Sequence, residues 1–173
     1  MLRSSVALAV IASVALVMPA CRMSLEEVPD AAEGAGRVCL PSTSVACMEA
    51  ANHADLAWIE ANVFMPSCTF MACHNGDATA PGQMDLRVGM AHTSLVNVDS
   101  QLEVGAKLVV PNDPGASYLM MMMRQIKPEA MVPPVMAPPE DIGFMPQGTN
   151  GMPVCCQKLD AVQRWIEAGA PAN

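Results

Sequence analysis

The chain has 173 residues, with 17 acidic against 9 basic side chains and a formal net charge of −8 at pH 7. This acidity excludes nucleic acids and anionic membrane surfaces as partners, because both repel a negatively charged protein. The length corresponds to a single domain, and an aromatic content of only 3% predicts a thin core.

Residues 1–20 have the pattern of an export signal. Arg3 supplies a positive start, the apolar stretch 6–18 is short for a membrane span, and Ala20 is a small residue at a cleavage position. Cys21 follows in "MPAC", which resembles the lipobox of bacterial lipoproteins; ordinary signal cleavage is the alternative. We therefore expect a protein of the cell envelope, periplasmic or outer-membrane-associated, that meets the membrane only through a lipid on Cys21.

Residues 21–50 are interpreted as a flexible tether, because most of this segment is polar and acidic and has no hydrophobic period. An oxidising compartment favours disulfides among the six cysteines that remain after Cys21. A local pair within the tether is one arrangement. Outward pairing to the adjacent cysteines near the C-terminus is another, and those two could also pair with each other. The cysteines concerned are Cys39, Cys47, Cys155 and Cys156.

The domain proper is predicted to span residues 51–173. A helix is predicted over 53–64 by its apolar stripe, a single turn near 92–96, and another helix over 114–126, where Asp113 can act as the cap. A long proline-rich loop separates these from a closing helix over 155–170, which Gly169 stops.

No segment alternates apolar and polar residues long enough to form a sheet. The fold class is therefore predicted to be all-α, with about three main helices and long irregular loops rich in proline, glycine and methionine. The run of methionines at 120–123 is interpreted as adaptable packing, with some side chains in the core and the others facing solvent or a cofactor edge.

The stretch "FMPSCTFMACHNG" contains the strongest chemical signal, Cys68, Cys73 and His74. A cysteine pair that ends directly on histidine is typical of covalent haem attachment, with the histidine as proximal iron ligand. Two residues usually separate such cysteines, whereas four do here. A Cys68–Cys73 disulfide and a zinc site completed by a cysteine from the 155/156 pair are the alternatives that the spacing leaves open.

A haem that transfers electrons commonly takes a methionine as its second axial ligand. Met145 is the favoured candidate, because it lies between Phe144 and Pro146 and a proline biases the preceding residue toward an extended backbone. Met131 is the alternative.

Several segments resemble the planctomycete-type cytochrome c domains, including relatives among exported bacterial lipoproteins. The resemblance covers about residues 56–171 and implies a small cytochrome c fold. It also implies one covalent haem c on Cys68 and Cys73, with His74 proximal and Met145 distal. The long form of the attachment motif is common in these relatives. The segments are "WIEANVFMPSCTFMACHNG", "MDLRVGMAHTSLVNV", "LVVPNDPGASYL", "FMPQG" and "LDAVQRWIEAGAP".

These features predict a monohaem c-type cytochrome lipoprotein that exchanges single electrons with a redox partner protein. A haem-free, disulfide-stapled envelope lipoprotein that acts as a binding or structural module is the alternative. No nucleophile and base, phosphate loop or carboxylate pair occurs at motif spacing, so enzyme activity is not expected.

Overall fold

The computed structural model describes residues 39, 41–69, 73–76, 84–146 and 154–172. They belong to one compact unit, Ala32–Asn173. The predicted export signal, the predicted lipidation site Cys21 and residues 22–38 of the predicted tether lie outside the described residues. Within the described ranges, no helix combines the length and the apolar content needed to cross a bilayer.

The first half of the domain is built from short helical segments in two runs. The second run begins at Leu56, because Asp55 caps it by accepting from the backbone N–H of Trp58. The helix predicted over 53–64 therefore begins three residues later than expected. Pro66 lies in the first turn of a helical segment, where no N–H is required, and the run continues to Ser67. The segments are α1 (Val45–Glu49) with the 3-10 turn Ala50–Asn52, then α2 (Leu56–Ile59), the π-helical Glu60–Phe64 and α3 (Met65–Ser67).

The middle of the domain contains α4 (Ala91–Leu95), close to its predicted position, and α5 (Tyr118–Met122). A 3-10 turn, Pro114–Ala116, precedes α5, and Asp113 caps it by accepting from the Ala116 N–H at 3.0 Å. The predicted helix over 114–126 is interrupted at Ser117, whose extended backbone lets its hydroxyl donate to the Asp113 carbonyl at 2.7 Å. A further 3-10 turn spans Pro128–Ala130.

The closing helix, α6 (Cys156–Glu167), is the longest helix of the described residues. Its buried face includes Leu159, Val162 and Trp165, and it contacts both α1 and α2. Gly169 follows the helix with φ +92°, a left-handed conformation that terminates helices at low cost, as predicted.

The described part of the chain is dominated by helix and contains no extended strand, only isolated bridges such as Asn75 with Asp85. The all-α prediction is confirmed at this level. The main core brings α2, α4, α5 and α6 together through fully buried side chains. These include Ile59, Phe64, Leu95, Met120, Leu159 and Trp165.

Two disulfides, Cys39–Cys156 and Cys47–Cys155, join the start of the folded body to the N-terminus of α6. The local pairing of Cys39 with Cys47 is therefore wrong, as is a vicinal bond between Cys155 and Cys156, and the outward pairing is found. Cys47 is part of α1 and is bonded to Cys155, and Ala50, directly after α1, is buried in the main core. The folded body therefore also includes residues 41–50, which were predicted to belong to the tether.

All four methionines at 120–123 are buried, so the side chains outside the main core face the protein interior and not solvent. Met120 and Met123 belong to the main core. Met121 and Met122 belong to a second cluster with Tyr118 and Met131. The proline-rich loop provides the cover, because several of its apolar side chains pack on this cluster. They are Val135, Ile142, Phe144 and Met145.

Candidate functional site

A partly open cavity of about 370 Å³ lies beside the cysteine–histidine motif. Its walls come from the end of α3, the residues after the motif, α4 with the following loop, α5 and the proline-rich loop. Apolar surface predominates in these walls, and the volume falls within the roughly 300–1,000 Å³ of small-molecule and cofactor sites. The cavity is therefore suited to a mainly apolar ligand.

The cavity brings together the candidate residues Cys68, Cys73, His74 and Met145. Met145 is far from the motif in sequence, so tertiary packing brings it to the same cavity. Met131, the alternative distal residue, is 2% exposed and belongs to the second core cluster instead of the described cavity wall.

Cys68 and Cys73 are both free thiols, whereas the other four cysteines of the described chain form the two disulfides. Burial raises the pKa of the Cys68 thiol to about 12, and the charge of Cys73 adds to the shift. The Cys68 thiol therefore stays protonated at neutral pH. The structure thus does not contain the Cys68–Cys73 disulfide that the spacing allowed.

The zinc alternative loses its fourth ligand, because Cys155 and Cys156 are already bonded to other cysteines. Among the residues that the structure describes, no three His, Cys, Asp or Glu side chains converge as a metal-binding group. Covalent haem attachment makes no such demand, since its two sulfurs bond to the porphyrin and not to the metal. The arrangement therefore fits a ligand that spans the cavity better than a chelated ion.

His74 is 7% exposed, and its Nδ1 atom is buried without a hydrogen-bond partner in the described structure. Burial lowers the pKa of this imidazole, which favours the neutral form. Neutral imidazole is the form that binds metals. A buried, neutral histidine facing an apolar cavity has the properties of an axial iron ligand.

The loop that carries Met145 is attached to α5 by a backbone hydrogen bond. The Met145 N–H donates to the carbonyl of Met122 at 2.8 Å. The guanidinium of Arg124 lies 5.5 Å from the centre of the neighbouring Phe144 ring, within the range of a cation–π contact. These contacts hold the Met145 backbone beside the cavity.

The cavity wall also includes side chains that were not predicted as ligands. Met84, Met122 and Met123 contribute three further thioethers, and Tyr118 contributes an aromatic ring. No local pattern distinguished Met84 in "MDL", because a lone methionine in a loop has no period to interpret. Of the other loop methionines, Met136 is 76% exposed, and Met152 lies outside the described residues.

The other two histidines have partners elsewhere in the domain. His53 stacks on Trp58 with ring centres 4.4 Å apart and pairs with Asp55 at 2.9 Å. The Nε2 atom of His92 lies 3.1 Å from the carbonyl oxygen of Ala170. Neither histidine belongs to the described cavity wall.

Comparison of the chain with protein-family models, with curated proteins and with solved structures found no match.

Proposed function

We propose that this chain is a monohaem c-type cytochrome with a small cytochrome c-like fold, which transfers single electrons at the cell envelope. One observation carries the proposal. The only two free thiols among the described cysteines share an apolar cavity with a buried neutral histidine and a methionine from a distant loop.

Each thiol would add across one vinyl group of haem, with Cys68 and Cys73 as the two donors. A sulfur–carbon bond forms, and the thiol hydrogen goes to the other vinyl carbon, so this attachment consumes no oxidant. The bound haem iron supplies one-electron chemistry between its ferric and ferrous states. His74 and Met145 would supply the imidazole and thioether ligands of the iron, and the apolar walls would exclude water from the cofactor.

The separation of roles among the cysteines supports this proposal. The disulfides of Cys39 and Cys47 already secure the N-terminal segment to α6. Cys68 and Cys73 are left for another chemistry in a compartment where unused thiols normally pair. The lipid anchor on Cys21, the envelope location and a protein redox partner remain parts of the same proposal.

Production of the full chain in a host with haem-attachment machinery tests the proposal. We expect the mass of one haem and the α-band of a reduced c-type cytochrome. Cys68→Ala and Cys73→Ala should each leave one unsaturated vinyl group, which shifts the α-band of the pyridine haemochrome. Cys21→Ser serves as the control and should leave that band unchanged.

An unmodified mass with a third disulfide between Cys68 and Cys73 would contradict the proposal. That result would favour the haem-free, disulfide-stapled module, whose body the two disulfides already present could secure without a cofactor.

A further inference from the structure

Both backbone polar groups of His74 are hydrogen-bonded within the domain. Its N–H donates to the carbonyl of Cys68 at 3.1 Å, and its carbonyl accepts from the N–H of Leu86 at 2.9 Å. Immediately next to it, Asn75 and Asp85 form an antiparallel bridge. The segment around Asp85 therefore determines where the His74 backbone lies.

The buried Asp85 carboxylate is the organising group of that segment. It accepts from the backbone N–H of Arg87 at 3.1 Å, and from the Arg87 side chain at Nε, 2.9 Å, and at a terminal nitrogen, 2.5 Å. A bidentate guanidinium–carboxylate pair has a defined geometry that a single ionic contact lacks. The N–H of Asp85 also lies 3.3 Å from the hydroxyl of Ser94, which joins the segment to α4.

Gly76 shows how closely Asp85 approaches the residues after the motif. Its backbone has φ +79°, and a Cβ atom there would lie 2.6 Å from Oδ2 of Asp85. Such a separation is shorter than any van der Waals contact, so a side chain at this position would displace the carboxylate. Asp85 therefore packs directly on the backbone two residues after His74.

The spacing of the motif explains why such a contact is needed. Four residues separate Cys68 from Cys73, so the covalent loop constrains the position of His74 less than a two-residue loop would. We infer that Asp85 and Arg87 are positioning residues, which fix His74 as the proximal ligand and replace the constraint that the longer loop has lost. This inference rests on the proposed function.

The test uses the haem-loaded full chain with Asp85→Asn, Arg87→Met and Arg87→Lys. The g-values of ferric low-spin haem depend on the orientation of the axial imidazole, so they report the position of His74. We expect altered g-values and a shifted reduction potential in Asp85→Asn and Arg87→Met. Both quantities should lie closer to the wild-type values in Arg87→Lys, which keeps the positive charge but not the bidentate guanidinium geometry. The control is Glu167→Gln, which neutralises an exposed carboxylate of α6 that accepts from Gln163 at 2.8 Å and is not part of the described cavity wall.

Unchanged g-values and potential in Asp85→Asn and Arg87→Met would overturn the inference, even if both variants were less stable. If the wild-type chain takes up no haem, the proposed function fails. Amide hydrogen exchange on the haem-free chain then tests whether Asp85 and Arg87 hold the His74 backbone in place. The Leu86 amide should exchange at least about tenfold faster in both variants than in the control. Equal protection in all three would overturn the positioning role.

Discussion

The backbone N–H of Met145 donates to the carbonyl oxygen of Met122 at 2.8 Å, and both side chains line the cavity. This bond joins the proline-rich loop to the C-terminal end of α5. Because it uses only backbone atoms, it is preserved when the Met145 side chain is changed. The ligand role of that side chain can therefore be tested without releasing the loop.

Met145→Ala in the haem-loaded protein should abolish the Met-to-iron charge-transfer absorption and lower the reduction potential, because the thioether ligand is lost. Absorption spectroscopy and a redox titration measure the two effects. Met131→Ala is the matched control, since Met131 is buried in the second cluster and lies outside the described cavity wall. Loss of the band in Met131→Ala with retention in Met145→Ala would show that the wrong methionine was chosen.

Arg124→Met should weaken the attachment of the Met145 loop, because it removes the cation–π contact to Phe144 while keeping a side chain of similar length. We expect a loss of about 0.5–1 kcal/mol in the free energy of unfolding, measured by denaturant titration. Added imidazole, which competes with Met145 for the iron, should bind about two- to fivefold more tightly. Arg124→Lys retains a cation and should change both quantities less; an equal effect of the two variants would speak against the cation–π contact.

His74 and Cys68 should contribute their full stabilisation to the haem-free protein between about pH 6.5 and pH 9, where each has the protonation state that the fold prefers. Burial lowers the pKa of His74, so unfolding takes up a proton below its ordinary value of 6.5, and stability falls as the pH falls. Burial raises the pKa of Cys68 from 9.0 to about 12, so stability is lost as the pH rises through that range.

Thermal unfolding followed from pH 5 to 11 measures both the acidic and the alkaline limb, that is, the loss of stability on either side of this range. Cys68→Ala isolates the thiol contribution, which matters because the pKa of Tyr118 is also raised by burial. An alkaline limb that is identical in Cys68→Ala and in the parent chain would refute the assignment to Cys68.

The loss in the free energy of unfolding should be smaller when the first disulfide is removed than when the second is removed. They close loops of 117 and 108 residues with adjacent anchors on α6, so either bond alone restricts nearly the same segment. In the chain-entropy account, removing the first pair by Cys47→Ala with Cys155→Ala costs about 3 kcal/mol, and removing the second costs about 4–5 kcal/mol. Denaturant titration of the double and quadruple variants measures the difference; equal steps would contradict this account.

Local sequence patterns anticipated the features that depend on neighbouring residues. The apolar stripe of α6, the capping role of Asp113 and the stop at Gly169 all follow from interactions within one helical turn. The adjacency of Cys73 and His74 likewise drew attention to a segment that lines the described cavity, because this motif is contiguous in sequence.

Contacts between distant segments required the three-dimensional arrangement. Cys39 pairs with Cys156, all four methionines at 120–123 are buried, and Met145 lines the same cavity as His74. Each of these relationships joins parts of the chain that share no local pattern. Such contacts depend on how the helices pack and on how the proline-rich loop folds over α5. Periodicity along a chain defines which face of a helix is apolar, but not which partner covers it.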